Sequence, residues 1–340
     1  MDLKELPKID LHCHLDACVR IPTAGEIARD LTLTIPEPLS DALVAPPLCL
    51  DLMDYLRRID FALEVMQREP DLRRIAFELV EDCQADGIIY IEVRFAPQLH
   101  TRRGLSLQEV LLAVYRGLKD GEYKYGVRTS LILCCVRQQD PSVSLEIAQL
   151  AADNQDKVCA IDLAGDEAGF AGSRHVAAFD LAEHAGLHRT VHAGEAAGSH
   201  RIEEAIEVLH AERIGHGVRV VDNPRLMEVM KDRTMVLEVC PQSNVQTRAV
   251  ESYAAHPIDH LFRLGLSVTI NTDGRTLSTT SCTQEFQHLM AHKGWTLDEF
   301  WQCQHNAAVS AFASTDTKRF LLAAVSNRRT TVVRASGDRI

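Results

Sequence analysis

Short apolar runs rich in Val and Ile recur eight times along the chain, separated by stretches with the periodicity of amphipathic helices. Alternating strands and helices favour parallel β/α units, and eight such units suit a closed barrel. The chain is therefore predicted to be an α/β protein that forms a single (β/α)8 TIM barrel. Its strands are predicted at residues 8–12, 88–95, 127–136, 158–163, 189–192, 213–215, 235–239 and 267–271.

The intervening helices each have one apolar face. Glycines follow several of them, at the position where a left-handed C-cap is favoured. These glycines are Gly87, Gly126, Gly186 and Gly265. The helices are predicted at residues 71–86, 106–122, 142–152, 179–185, 202–209, 224–231 and 258–264.

The domain organisation is simple, because a barrel of about this length is ordinarily one domain. Residues 1–325 are predicted to form that domain. The connection after the first strand, residues 20–68, is long, carries Pro36, Pro38, Pro46 and Pro47 and includes two short helical stretches. We expect this helical insertion to act as a lid over the active end of the barrel. Residues 326–340 are polar and Arg-rich, which is typical of a flexible tail.

The composition narrows the class of partner. The chain has 36 Lys and Arg against 48 Asp and Glu, a net charge of -12 that repels nucleic acid and anionic lipid surfaces. The apolar runs are shorter than a membrane helix, and the N-terminus does not resemble a signal peptide. The ten cysteines contain no Cys-x-x-Cys pair and are interpreted as reduced. We expect a cytoplasmic protein with a small, neutral ligand and no nucleic-acid or membrane role; the oligomeric state is left open.

Polar residues follow four of the predicted strands at the ends where reacting groups gather in such barrels. These ends are where a metal or catalytic site is expected. The four segments are His12-Cys13-His14-Leu15-Asp16, His192-Ala193-Gly194-Glu195, His216-Gly217 and Asn271-Thr272-Asp273.

Three imidazoles and a carboxylate among these residues predict a zinc site. His12 and His14 are two residues apart in extended chain, so their side chains point the same way. Together with His192 and Asp273 they suit one Zn²⁺ ion per chain, with a position open for water. A bound divalent cation lowers the pKa of that water towards about 7. The end of the fourth strand has no Lys to bridge a second metal, which favours a mononuclear site.

Two further residues are predicted to handle protons. Glu195, three residues beyond His192, is positioned to shuttle protons between the water and a substrate. His216 is expected to orient the water or stabilise a developing oxyanion, and Asp273 to accept a hydrogen bond from the water.

Eight segments, taken in order, closely resemble the adenosine deaminase family of the amidohydrolase group over about residues 5 to 310. The resemblance implies that His12, His14, His192 and Asp273 are metal ligands, that Glu195 shuttles a proton to the purine N1, and that His216 is catalytic. The segments are IDLHCHLDA, YIEVRFAP, LILCCVRQ, IDLAGDE, VHAGE, RIGHG, EVCPQSN and NTDG.

The same resemblance implies a set of substrate contacts. Asp16 would contact the ribose 5'-hydroxyl and the Gly165 backbone the purine N3, while His14 and Gly274 would border the substrate. Ser243 would belong to the supporting residues. The implied reaction is hydrolysis of adenosine or 2'-deoxyadenosine to inosine or 2'-deoxyinosine plus ammonia.

The chain departs from the family pattern at two positions. Gly274 stands where most members carry a second acidic residue that hydrogen-bonds the purine N7, a contact worth about 1.5–3 kcal/mol when charge-assisted. Ala17 stands where the family usually has Gly and is expected to narrow the ribose side of the pocket. Free adenine and aminodeoxyfutalosine therefore stay open as substrates, and a non-catalytic zinc-binding barrel is the alternative from another class.

The remaining polar residues of interest are interpreted as structural. Glu92, Arg94 and Asp162 lie in or at the ends of predicted strands and are expected to form a buried polar layer. Asp166 and Glu167 are expected to cap the next helix. The other eleven histidines, His256 among them, are not proposed as ligands.

Overall fold

The computed structural model describes residues 2–337, and side chains as far as residue 327. Each strand pairs in parallel with the next in sequence, so the order around the sheet is β1 to β8. The predicted (β/α)8 barrel is confirmed, and each predicted strand lies within two residues of an observed one. The strands are β1 (Lys8–His14), β2 (Ile88–Phe95), β3 (Arg128–Val136), β4 (Val158–Ala164), β5 (His188–Ala193), β6 (Arg213–His216), β7 (Val236–Val239) and β8 (Ser267–Ile270).

The barrel closes at a residue of the predicted metal site. A parallel bridge joins Cys13 of β1 to Asp273, just beyond β8. The backbone N–H of Asp273 donates to the His12 carbonyl at 2.8 Å, and the His14 N–H donates to the Asp273 carbonyl at 2.6 Å. Closing the barrel therefore brings the two histidines of β1 beside the aspartate that follows β8.

Helices surround the barrel, and the seven predicted ones are present with ends shifted by a few residues. The sequence interpretation missed α10 and α12 to α14, although the Thr296–Glu299 capping box at the start of α13 is a readable signal. The helices are α1 (Ile21–Asp30), α2 (Leu52–Leu56), α3 (Asp60–Val65), α4 (Glu69–Ala85), α5 (Leu107–Tyr125), α6 (Pro141–Ala152), α7 (Val176–Ala185), α8 (His200–Glu207), α9 (Pro224–Asp232), α10 (Pro241–Gln246), α11 (Ile258–Arg263), α12 (Cys282–Lys293), α13 (Leu297–Ser310) and α14 (Thr315–Gly337).

The connection between β1 and α4, here called the insertion segment (residues 20–68), contains α1, α2 and α3. Its middle part packs on the barrel end that carries the predicted site. Leu52 and Tyr55 share a small buried apolar cluster with Ala17 and Leu277. The insertion segment therefore covers part of that end of the barrel.

The end of the chain includes a helix where the sequence predicts a tail. Helical backbone of α14 continues through residues 326–337, and residues 338–340 lie outside the described part of the chain. Among the described residues, helices of the length and apolarity that a membrane crossing requires are absent.

A layer of buried charges crosses the barrel beneath the predicted site, as expected for Glu92, Arg94 and Asp162. Arg94 donates to Asp162 Oδ2 at 3.0 Å and to Glu238 Oε2 at 2.8 Å. Arg213 donates to Glu238 Oε1 at 2.7 Å and to the Glu92 carboxylate. All five side chains are buried, and two positive against three negative groups leave one net negative charge. The layer therefore favours a cation above it.

The close approach of α4 and α5 generates a stability prediction. A Cβ atom at Gly117 of α5 would lie 2.2 Å from the Arg73 carbonyl oxygen of α4. We expect Gly117→Ala to lower the free energy of unfolding by about 1–3 kcal/mol, because overpacking outweighs the better helix propensity of alanine. Urea unfolding measures the change. Tyr123→Ala, at a side chain 94% exposed on the same helix, is the control and should stay within about 0.5 kcal/mol of the parent. A Gly117→Ala variant as stable as the parent would contradict the prediction.

Candidate active site

A cavity of about 460 Å³ opens at the carboxyl ends of the strands. The insertion segment provides an apolar side of it, and most of the predicted site residues form its polar side. This combination suits a small molecule with a flat apolar body and a few polar groups. The lining residues are His14, Asp16, Ala17, Leu52, Met53, Tyr55, Leu56, Arg57, Ile59, Asp60, Leu63, Ala96, Leu99, Arg102, Cys134, Val136, Gln138, Gln139, Ala164, Gly165, His192, Glu195, His216, Asp273 and Leu277.

The four predicted metal ligands converge. His14 Nε2 lies 3.1 Å from His192 Nε2 and 3.6 Å from Asp273 Oδ1, and His12 Nε2 lies 3.7 Å from Asp273 Oδ1. Nitrogen and oxygen ligands about 2.1 Å from a tetrahedral ion lie roughly 3.4 Å apart. The spacing of the donor atoms therefore fits one metal ion.

Two buried carboxylates orient the histidines of this cluster. His12 Nδ1 lies 2.9 Å from Glu238 Oε2, and His192 Nδ1 lies 3.1 Å from Asp162 Oδ1. A carboxylate beside Nδ1 keeps the hydrogen there, so the lone pair of Nε2 is left for a metal. His12 Nε2 is buried without a hydrogen-bond partner among the described residues. The donor set thus fits a divalent cation by chemistry as well as by spacing.

His216 lies in the same cluster but presents a hydrogen instead of a lone pair. His256 Nδ1 accepts a hydrogen bond from the Ile258 N–H at 3.1 Å, so its hydrogen is on Nε2, which faces Asn244 Oδ1 at 3.4 Å. Asn244 Nδ2 then donates to His216 Nδ1 at 2.9 Å. Burial lowers the pKa of His216 well below its usual range, so the ring is neutral with its hydrogen on Nε2. His216 is therefore a hydrogen-bond donor towards the cavity.

Glu195 points its carboxyl group at this donor. Its Oε2 lies 3.5 Å from His216 Nε2, and its buried Oε1 lacks a hydrogen-bond partner among the described residues. Burial raises the pKa of Glu195 well above its usual range, and the charges of Asp273 and Glu167 raise it further. A carboxyl group in this setting holds a proton that it can give to a ligand in the cavity.

Glu167 binds the loop that carries Glu195. The expectation that Glu167 caps the next helix is therefore wrong. Its carboxylate accepts hydrogen bonds from the backbone N–H groups of Gly194, Glu195, Ala196 and Ala197 at 2.5, 3.0, 2.6 and 3.2 Å. The loop after β5 exposes four adjacent donors that need an acceptor, which outweighs helix capping. One buried carboxylate therefore fixes the position of Glu195.

The backbone at the site is held in an unusual conformation. His216 and Asp273 both have a φ of 60°, in the left-handed region that residues other than glycine seldom adopt. Such conformations persist only where the surrounding structure enforces them and are concentrated at functional sites. Here each one turns the chain at the end of a strand and directs a polar side chain into the cluster.

The predicted substrate residues His14, Asp16 and Gly165 line the cavity. Asp16 is buried, and burial raises its pKa to about 6. Gly165 has a φ of 98°, and a Cβ atom there would lie 2.3 Å from Gln138 Oε1. The positive φ favours glycine at this position, where the backbone itself forms part of the wall.

Gly274, the fourth predicted substrate residue, does not line the cavity. Its neighbours Ala17, Asp273 and Leu277 line the cavity, whereas Gly274 itself is buried. The methyl group of Ala17 lies where a side chain at position 274 would start.

Several residues that support the site escaped the sequence interpretation. Glu238 lies within an apolar strand, where a charged residue is itself a signal, while Asn244 and His256 act through contacts that the sequence does not reveal. Tyr55 of the insertion segment lines the cavity, and its hydroxyl lies 2.6 Å from Ser278 Oγ. The implied supporting residue Ser243 is fully buried.

The barrel and the chemistry at its strand ends place the protein in the class of amidohydrolase-type enzymes, which hydrolyse C–N bonds at such a centre. A model of the family described as Adenosine deaminase matches residues 7–328. The chain belongs to this adenosine deaminase family and is a hydrolytic deaminase. The adenosine deaminase of Enterococcus faecalis is 39% identical over 323 residues, covering 94% of this chain and 96% of that relative. That of Clostridium botulinum is 40% identical over 327 residues, covering 94% and 97%.

Solved structures with the same architecture include an adenine deaminase from Arthrobacter aurescens, with a TM-score of 0.90 and 28% identity, covering 96% of this chain and 99% of that one. A Burkholderia ambifaria amidohydrolase with bound zinc has a TM-score of 0.90 and 27% identity, covering 98% and 93%. Small purines are thus the substrate class of the family, and metal dependence is a property of the group.

The hydrogen bonds from the backbone of residues 194–197 to the Glu167 carboxylate generate a prediction. We expect Glu167→Gln to lower the free energy of unfolding by about 1–3 kcal/mol and to lower kcat at least tenfold, because an amide N–H₂ would face a backbone N–H. Urea unfolding and steady-state kinetics measure the two effects. Asp166→Asn is the control, since an asparagine Oδ1 still accepts the Gly169 N–H, now at 2.9 Å. Unchanged kcat in Glu167→Gln would show that these hydrogen bonds do not position Glu195.

Proposed function

We propose that the protein is a zinc-dependent deaminase of adenosine and 2'-deoxyadenosine, releasing inosine or 2'-deoxyinosine and ammonia. The observation that carries the proposal is the meeting of two groups of side chains at the polar side of one cavity. His12, His14, His192 and Asp273 offer a metal-binding set there, and Glu195 offers a protonated carboxyl beside them.

One Zn²⁺ ion per chain would be held by His12, His14, His192 and Asp273. When bound, the ion supplies a water molecule of lowered pKa as the nucleophile. The described residues offer no lysine at the end of β4 that would bridge a second ion. The neutral imidazoles and the net negative layer below them support a divalent cation at this position.

Glu195 would transfer the protons that the reaction requires. Addition of water to C6 of the purine requires a proton on N1, and the buried, protonated carboxyl of Glu195 can donate it. The carboxylate formed can then take a proton from the nucleophile and pass it to the departing amine. His216, held with its hydrogen on Nε2, would donate a hydrogen bond to the oxygen that adds at C6.

Asp16 and Gly165 would recognise the nucleoside. The Asp16 carboxyl at the cavity wall would bind the ribose 5'-hydroxyl, and the Gly165 N–H would bind the purine N3. The relatives at 39% and 40% identity are named adenosine deaminases, which supports a nucleoside over a free base. Adenine is the second candidate, because a solved structure of the same architecture is an adenine deaminase.

Two further proposals concern the role of the insertion segment and the cellular compartment of the enzyme. The insertion segment would act as a lid, because it contributes Leu52 and Tyr55 to a cavity that a substrate must enter. All ten cysteines are free thiols, which supports a reducing compartment such as the cytoplasm.

Replacing the proposed acid tests the function. We expect Glu195→Gln to bind one zinc ion per chain and to lose about 10²–10⁴-fold in kcat for adenosine, since the amide has no acidic proton to donate. Metal analysis and ammonia release measure the two quantities on the same sample. Glu203→Gln, at an exposed position on α8, is the matched control and should retain full turnover. Turnover by Glu195→Gln equal to that of the control would refute the proposed role.

The nucleoside contact is tested with substrates that differ at one atom. We expect Asp16→Ala to lower kcat/KM for adenosine about 10–100-fold, since a hydrogen bond to a charged group is worth about 1.5–3 kcal/mol. Turnover of 5'-deoxyadenosine, which lacks the hydroxyl, should change much less. Adenine and aminodeoxyfutalosine complete the panel, followed by ultraviolet absorbance. Faster turnover of either compound than of both nucleosides would overturn the proposed substrate.

A further inference from the structure

The two departures from the family pattern, Ala17 and Gly274, are in contact. A Cβ atom built on Gly274 would lie 2.5 Å from the Ala17 Cβ, 3.1 Å from the Leu277 Cβ and 3.3 Å from the Ala17 carbonyl oxygen. Carbon atoms that are not bonded pack at about 3.5–4.0 Å. Gly274 is not among the glycines with a positive φ, so lack of space, and not backbone conformation, excludes a side chain.

Neither segment has freedom to make that space. The N–H groups of Thr276 and Leu277 donate to the Ala17 carbonyl at 3.1 and 3.0 Å. The Arg275 N–H donates to Cys18 Sγ at 3.3 Å, and the Arg275 guanidinium lies 3.3 Å from Asp86. The turn after β1 and the loop after Asp273 are therefore one tightly bonded unit.

We infer that Ala17 and Gly274 are a matched pair that determines the specificity of the cavity wall beside Asp273. The Ala17 methyl group takes the space that a side chain at position 274 would need, and it lines the cavity while Gly274 does not. Together with Leu277 it makes the wall apolar at this point. A polar contact from position 274 to the substrate is excluded for as long as alanine occupies position 17.

The substrate part of this inference rests on the proposed function. A purine bound beside Asp273 with its N1 at Glu195 turns its five-membered ring away from Glu195, and the N7 of that ring is a hydrogen-bond acceptor. An apolar wall gives N7 no donor. The enzyme should therefore discriminate weakly between adenosine and 7-deazaadenosine, which lacks N7, and should gain discrimination only when both positions are replaced together.

A double-mutant cycle in the zinc-loaded protein tests the pairing without any substrate. We expect Gly274→Ala to lower the melting temperature by about 1–4 °C, and Ala17→Gly in the same chain to restore most of that loss. Gly198→Ala is the control, because a Cβ atom there would first meet the His200 side chain at 3.3 Å. A Gly274→Ala variant as stable as this control, or one that Ala17→Gly does not rescue, would overturn the pairing.

Kinetics test the specificity. We expect Ala17→Gly/Gly274→Asn, which adds an amide donor, to raise the ratio of kcat/KM for adenosine over 7-deazaadenosine about tenfold relative to the parent, while Gly274→Asn alone loses activity on both. An unchanged ratio in the double variant, with the stability coupling intact, would overturn the specificity role alone. If the parent fails to turn over adenosine, the proposed function fails, the stability cycle still decides the pairing, and the ratio is measured on the 6-aminopurine that is turned over and its 7-deaza analogue.

Discussion

The buried ion pairs of Arg94 are the interaction on which the rest of the site depends. Arg94 joins Asp162 and Glu238, and these two carboxylates in turn orient His192 and His12. A buried carboxylate without a positive partner would cost several kcal/mol or take up a proton. Protonated, it would no longer hold the hydrogen on the Nδ1 atom of a histidine. Arg94 thus helps to keep the hydrogen on Nδ1 of two imidazoles, which come from β1 and β5 and lie side by side, while Arg213 is a second partner of Glu238.

The site is built in layers that divide the chemical tasks. Carboxylates of the charged layer orient His12 and His192, the strand ends supply the proposed metal ligands, and hydrogen bonds from outside the barrel select tautomers and positions. His256 and Asn244 determine which nitrogen of His216 carries hydrogen, and Glu167 positions the loop of Glu195. Each supporting residue is buried and hydrogen-bonded, so its contacts hold the reacting groups in place.

The sequence predicts the strands and singles out the proposed metal ligands and the proposed acid, because each depends on local order. An apolar run that ends in a polar residue can be recognised within about ten positions, and parallel strands bring those ends together. The supporting contacts depend on pairs far apart in sequence. Glu238 and His12 are 226 residues apart, and Glu167 is 28 residues from Glu195. A charged residue in a strand is visible, but its partner is decided by the packing of the barrel.

The relation between the departures at positions 17 and 274 is likewise a contact that the sequence does not reveal. Taken singly, Gly274 indicates a lost contact and Ala17 a narrower pocket, and neither explains the other. The 2.5 Å separation between the Ala17 Cβ and the Cβ position at Gly274 makes them one structural change. No proposed metal ligand and no proposed proton carrier takes part in that change, because Asp273 is held by its own backbone bonds to β1. Recognition can therefore vary at this wall while the chemistry of the strand ends stays the same.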